Sequence, residues 1–220
     1  MTGRPVGTAD QSAPVELVVV GASLGGLSAL RILLAALPAD FAPAVAIVQH
    51  RRADADSRLT ELLRMVCRLP VLEAEDKDNV RGGSVYLAPA NYHLLVEAGR
   101  FSLSIDPPVR FARPSIDVLF ESAADAVGRA VVAVVLTGSN DDGAAGAQML
   151  KRAGATVLVE DPRTAESPVL PAAVIAKAAV DVVLPIAALA RHLVDIVKAR
   201  QGSTERGGDP ARKAGSVPGR

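Results

Sequence analysis

The sequence predicts an α/β protein, a doubly wound, mostly parallel sheet with helices on both faces and an inserted antiparallel hairpin. Three observations lead there. Short β-branched runs alternate with amphipathic stretches, the pattern of βαβ units stacked into a covered sheet. Apolar residues make up 50% of the 220-residue chain while aromatics make up only 3%, which suits an aliphatic, tightly packed core. Residues able to do chemistry stand just after apolar runs: Ser23 lies in the glycine-rich motif that follows 17–20, His50 follows 44–48 and Gln49, and the pair Asp141-Asp142 lies in the loop that follows 131–135. In an open parallel sheet the crevice outside the carboxyl ends of the strands is where ligands bind.

The elements follow in order. Strands are expected at 15–20, 44–48, 71–73, 131–136, 156–159 and 180–184. The first helix starts near Leu24 and carries Leu27, Leu30, Leu33, Leu34 and Leu37 at helical spacing until Pro38 stops it. A second helix is expected at 57–66. From 82 to 105 the rhythm shortens to alternating segments at 84–87, 93–97 and 101–104, separated by Pro89-Ala90-Asn91 and Ala98-Gly99-Arg100. These are read together as the inserted hairpin. Helices at 115–127, 143–152, 172–176 and 186–199 complete the cover. Segments 1–13 and 201–220 lack periodic apolar residues and are expected to be disordered tails, because they cannot offset their ordering entropy by burial.

Composition narrows the function. With 24 basic and 24 acidic residues, no overall field draws the chain to nucleic acid or anionic lipid. No run approaches the roughly 18 apolar residues that a membrane span needs, so membrane insertion is not expected and a cytoplasmic protein is. The single cysteine, Cys67, excludes an internal disulfide and reads as a small buried hydrophobe on a helix. No His, Cys or acidic cluster has metal-ligand spacing, and neither a metal nor a cofactor is expected.

The motif Gly21-Ala22-Ser23-Leu24-Gly25-Gly26 has the spacing of a dinucleotide-binding turn, but Ser23 stands where the second glycine would admit a pyrophosphate. About 20 residues on, where such enzymes offer an acidic residue to a ribose, this chain has His50. A serine, a histidine and an aspartate at neighbouring strand ends suggest nucleophile, base and acid. Serine is a poor nucleophile at neutral pH unless a base takes its proton, and the base needs an acid to fix its tautomer. Asp142 or Asp141 fills that place. Gly21, Gly25 and Gly26 let the turn close. Backbone amides of Leu24 and of the Gly138–Asn140 loop, Ser139 included, are candidates for holding an oxyanion, a donor of the kind worth on the order of 3 kcal/mol of barrier. Other readings exist for each residue alone: Ser23 as a helix cap, His50 as a surface side chain, Asp141-Asp142 as a turn, and the glycine-rich turn as a nucleotide site.

Taken together, these segments resemble the catalytic domain of the chemotaxis protein-glutamate methylesterases, the CheB family. Val18 through Gly26 is similar to its nucleophile turn, Val48-Gln49-His50 to its base segment, and Leu136-Thr137-Gly138 through Asp142-Gly143-Ala144 to its acid loop. Tyr86-Leu87-Ala88-Pro89, Arg113-Pro114-Ser115-Ile116-Asp117-Val118-Leu119-Phe120, and Glu160-Asp161-Pro162 with Pro171-Ala172-Ala173 extend the match. The resemblance implies a catalytic domain over 14–200, with Ser23 the nucleophile, His50 the base and Asp142 the acid. It implies hydrolysis of glutamate γ-methyl esters on methylated chemoreceptors, with methanol released, and deamidation of receptor glutamines as a second activity. The alternative is a non-catalytic binding member of the same fold. Many relatives carry a receiver domain ahead of the catalytic one, whereas only about a dozen residues precede the first strand here. A receiver-less member is therefore expected, served by a separate response-regulator or methyltransferase partner. The chain departs from better-known members at Ser139-Asn140, where they have Met-Gly, and at Arg51-Arg52, where they have Met-Pro. The two arginines either meet acidic receptor side chains or stand as a solvated pair.

Overall fold

The computed structural model describes residues 13–55 and 57–205. Within them the chain runs β1 (Leu17–Ala22), α1 (Gly26–Ala35), β2 (Ala44–Gln49), α2 (Arg58–Arg64), β3 (Val71–Glu73), β4 (Val85–Leu87), β5 (His93–Glu97), β6 (Arg100–Ser104), α3 (Ile116–Ala126), β7 (Val131–Val135), α4 (Ala144–Arg152), β8 (Thr156–Glu160), α5 (Val169–Lys177), β9 (Val182–Leu184) and α6 (Ile186–Glu205). Seven strands form one sheet in the order β3-β4-β2-β1-β7-β8-β9, with β5 and β6 a separate ribbon. Each neighbouring pair in the large sheet is parallel. The direction of winding reverses between β1 and β7, so the loops after those strands open the crevice at the centre of the sheet.

Side chains alternate across the sheet and define its two cores. Leu17 and Val19 of β1, with Val131, Ala133 and Val135 of β7, pack against Ile116, Leu119 and Phe120 of α3 and Ala147 and Leu150 of α4. Val18, Val20 and Ala22, with Val132 and Val134, pack against Leu30, Leu33 and Leu34 of α1 and Leu189 and Leu193 of α6. Leu30, Leu33 and Leu34 are essentially fully buried, each contributing roughly 2 kcal/mol of apolar burial. Cys67 is free and packs at the edge of the second core; burial pushes its thiol up.

Two expectations need correction. Segment 84–87 is not part of the hairpin: β4 lies inside the large sheet, parallel to both β2 and β3. All three of its residues are buried, and a short apolar run reads alike in either setting. The connection from β3 to β4 contains no helix, which removed the usual signal of a parallel crossover. The hairpin is β5 with β6 alone, joined through Ala98 and Gly99, both at positive φ, as a two-residue turn requires. The second correction concerns the carboxyl end. Helix α6 continues through Glu205, past the expected stop at 199, because Arg200 is buried and its guanidinium donates to the Thr156 hydroxyl. The remainder of the expected tails, 1–12 and 206–220, lies outside the described residues. Among the described residues no helix is long and apolar enough to cross a membrane.

Helices α3 and α4 meet at Gly146, where an added Cβ would stand 2.5 Å from Phe120 Cβ and 2.9 Å from the Asp117 carbonyl oxygen. Helix propensity alone favours alanine over glycine by about 1 kcal/mol. Overpacking costs about 1–3 kcal/mol, and here the obstruction includes backbone. Gly146→Ala is therefore expected to lower the urea midpoint; an unchanged or higher midpoint would show that the two helices can separate freely.

Candidate active site

Ser23 leaves the end of β1 in a turn clamped from both sides. Its amide donates to the Thr137 carbonyl at 2.9 Å and its own carbonyl accepts from Gly26 N at 2.9 Å. The cap of α1 is Gly25, at φ 80, without a side-chain hydrogen bond, so the Ser23 hydroxyl does not serve as a helix cap. Space for the turn comes from missing side chains. A Cβ on Gly25 would lie 2.7 Å from Glu166 Cβ, and one on Gly26 would lie 1.8 Å from Gln49 Oε1. Gln49 uses that space to donate from Nε2 to the carbonyls of Ser23, at 2.7 Å, and His50, at 3.0 Å, tying the first two strand ends together. Gly21 admits α3: a Cβ there would stand 2.5 Å from Ile116 Cγ2.

His50 follows β2, its amide bound to the Ala22 carbonyl at 2.9 Å. Its ring lies between the other two residues. Nδ1 is 3.2 Å from Ser23 Oγ, and Nε2 is 2.7 Å from Asp142 Oδ2. With the carboxylate at Nε2, the tautomer that carries its proton there leaves a lone pair on Nδ1 facing the serine. The imidazole is only 12% exposed. The sequence left Asp141 and Asp142 open, and geometry separates them. Asp141 is solvent-facing and accepts from Arg110 Nη1 at 2.6 Å, whereas Asp142 is fully buried against His50.

A buried carboxylate survives only with a full set of donors. Asp142 has them because it sits at the amino end of α3. Oδ2 accepts from Ile116 N at 2.7 Å as well as from His50, and Oδ1 accepts from Asp117 N at 3.1 Å and from the Ser115 hydroxyl at 2.8 Å. Burial is the largest single influence and favours the neutral acid, but these hydrogen bonds together outweigh it and hold the carboxyl below its ordinary range. The unpaired amides and dipole of the helix terminus act in the same direction. Asp117 takes the opposite course. It accepts from Gly143 N and Gly146 N at 2.9 and 2.7 Å, and from Arg110 Nε at 3.2 Å. Burial nonetheless pushes its carboxyl up, with the neighbouring Asp142 adding to the rise.

On the other side of the crevice, Thr137 orders the loop after β7. Its amide donates to Glu160 Oε2 at 2.8 Å, its hydroxyl donates to the Leu24 carbonyl at 2.8 Å, and it accepts from Ser167 N at 2.8 Å. Leu24 and Ser139, the two candidates for an oxyanion site, line one recess with Ser23, Gly25, Gly26 and His50. Among the described residues no three His, Cys, Asp or Glu side chains are grouped to hold a metal ion. Ser115, Asp117, Gln49 and Glu160 have no role predicted from the sequence, although all four lie within segments that carry the family resemblance, which is the available signal.

These carboxyls set opposing pH dependences. Asp142, depressed in the folded state, adds stability above its unfolded pKa that is lost as pH falls through the folded value. Glu160 is pushed up by burial, the Thr137 amide opposing, so ionising it removes stability as pH rises from its ordinary range through the raised value. Glu160→Gln keeps an oxygen for Thr137 and removes that ionisation. It is expected to raise stability at about pH 7 by on the order of 1 kcal/mol and to change little near about pH 4. Urea titrations at the two pH values decide this, and an equal effect at both would assign the change to packing.

Known proteins are similar to this one along most of the chain. The CheB methylesterase family matches residues 18–193. A protein of Leptospira interrogans is 42% identical over 167 residues, 76% of this chain and 86% of its own length. The protein-glutamate methylesterase/protein-glutamine glutaminase 1 of Anaeromyxobacter dehalogenans is 44% identical over 178 residues, 79% of this chain. The chain spans about half the length of that relative, 51%. The crystal structure of the Thermotoga maritima CheB methylesterase catalytic domain superposes with a TM-score of 0.79 at 33% identity, covering 83% of this chain and 98% of that domain. With its parallel sheet, its strand-end serine and histidine, and this extent of similarity, the chain belongs to the CheB methylesterase family.

Proposed function

We propose that the protein is a serine hydrolase that removes methyl esters from glutamate side chains of methyl-accepting chemoreceptors, and that it deamidates receptor glutamines by the same acyl transfer. One observation carries this reading: the continuous chain from buried Asp142 through His50 Nε2 and Nδ1 to Ser23 Oγ, with links of 2.7 and 3.2 Å. Relatives bearing the methylesterase/glutaminase name supply the substrate class.

Ser23 Oγ attacks the ester carbonyl as its proton moves to His50 Nδ1, forming the Oγ–C bond and a tetrahedral oxyanion. Asp142 stabilises the resulting imidazolium through Nε2. The amides of Leu24 and Ser139 are the donors assigned to the oxyanion. Collapse breaks the C–O bond to the methoxy group, which leaves as methanol with the proton from Nδ1. Water then attacks the acyl-enzyme, giving a proton to His50 that returns to Ser23, and a glutamate carboxylate is released. With glutamine the leaving group is ammonia and the steps are otherwise the same. The protein substrate is the partner this chemistry requires, and a cytoplasmic setting is the one that accords with the lack of a membrane-spanning helix among the described residues.

Methanol release from methylated chemoreceptor membranes tests the reading. Wild type is expected to release methanol, and Ser23→Ala and His50→Ala to lose at least about a thousandfold in rate, Ser23→Ala with an unchanged thermal midpoint and His50→Ala still folded but with a lower one, because Asp142 loses a donor. Asp142→Asn is expected to lose about 10⁴-fold, because an amide NH₂ facing Nε2 favours the wrong tautomer. Release that survives Ser23→Ala would refute the assignment.

A further inference from the structure

Beside the site, the segment Val109–Ala112 folds back on itself. Val109 N donates to the Ala112 carbonyl at 3.1 Å and Ala112 N to the Val109 carbonyl at 2.8 Å. The two central residues, Arg110 and Phe111, have φ of 47 and 63. A two-residue turn of this hand suits Asn and Gly, and ordinary side chains there are strained. Arg110 is held in place by Asp117 and Asp141, so the turn is fastened to the carboxylates around the acid of the site. The outcome is a fully exposed ring: Phe111 is 104% exposed. Leaving a phenylalanine in water forgoes the burial that normally stabilises it. Strain and exposure at one rigidly held residue are the features of a contact surface.

The surroundings say what it contacts. Phe111 lines a cavity of 620 Å³ together with His50, Arg51, Arg52, Arg110 and Arg113, and no acidic residue lines it. Carboxylates outside the lining answer three of these arginines, Glu73 for Arg51, Asp54 for Arg52, and Asp117 and Asp141 for Arg110, so the cationic groups left to the groove are Arg113 and Arg52, whose ion pair is solvent-exposed. Arg51 turns inward to Glu73 and the Ala88 carbonyl, but Arg52 is 87% exposed beside Asp54. Arg113 donates to neutral acceptors, the Asn91 carboxamide and the carbonyls of Ile105 and Asp106. Asn140, in the same groove, has a buried carboxamide oxygen without a partner among the described residues.

We infer that Phe111 is the anchor by which an acidic protein segment docks across the arginine groove and delivers its side-chain ester to Ser23. This rests on the hydrolase reading given above. A segment whose glutamates are esterified carries carboxylates at every site not methylated, which Arg113 and the exposed Arg52 complement, while the ring supplies an apolar anchor.

The test measures docking apart from turnover. Phe111→Asn keeps a residue suited to the left-handed turn and removes the ring, and Phe111→Tyr restores it. In the Ser23→Ala background, Phe111→Asn is expected to weaken binding to methylated chemoreceptor membranes about tenfold, with Phe111→Tyr near the parent. In the active protein the same change is expected to raise KM on those membranes by a similar factor and to leave kcat within about twofold. Binding and KM unchanged by Phe111→Asn would overturn the proposal. So would a dimer that dissociates on the substitution while substrate affinity stays constant, since the ring would then serve self-association. Hydrolysis of p-nitrophenyl acetate by wild type reports separately on the hydrolase, so failure of chemistry and failure of docking are distinguishable.

Discussion

The site is organised around one buried carboxylate. Asp142 is inaccessible to solvent, and an ionised carboxyl in that position would cost several kcal/mol if unpaired. Four donors, from His50, Ser115, Ile116 and Asp117, reverse the balance. Three of the four come from the first turn of α3 and its cap, so the geometry of the histidine depends on where that helix begins. The helix is placed in turn by what it touches: Ile116 against Gly21 of β1, and Asp117 and Phe120 against Gly146 of α4. A change at any of these contacts shifts the carboxylate that fixes the imidazole, which is how packing more than one layer away bears on chemistry.

Asp117 shows the cost of this arrangement. Two buried carboxyls lie side by side, and their environments push them apart, Asp142 down and Asp117 up. Asp117 caps α4 through Gly143 and Gly146 and binds Arg110, so it spends its hydrogen bonds joining α3, α4 and the Arg110 turn. The positive end of α3 serves Asp142, and Asp117 serves the framework. The parallel sheet supplies the rest, because its two central strands end side by side and cross-bond beyond their ends. His50 N to Ala22 O, Ser23 N to Thr137 O and Leu136 N to Gly21 O hold the three loops in register.

Much of this was legible in the residues. Serine, histidine and aspartate at the ends of apolar runs placed all three site residues on one side of a parallel sheet, and the hydrophobic periods located each helix. What escaped had physical reasons. Segment 84–87 alternates like an edge hairpin, but its partners, 71–73 and 45–47, are distant in sequence. The continuation of α6 depended on Arg200 finding Thr156, 44 residues away. Asp117 and Glu160 hold groups 26 and 23 residues away in the chain, and no local pattern encodes such a meeting. Asp141 and Asp142 are chemically identical neighbours, and only the fold turns one to solvent and the other to the histidine. Phe111 carried no sequence signal, since its exposure follows from a left-handed turn that its composition does not suggest.

The central claim is that His50, oriented by Asp142, activates Ser23. Reaction of the folded protein with a fluorophosphonate, followed by peptide mass spectrometry, reads this directly because the reagent needs an activated serine and no protein substrate. Stoichiometric modification of Ser23 in wild type, and its loss in His50→Ala with the fold retained, is the expected result. An unmodified Ser23, or modification equally fast without His50, would contradict it.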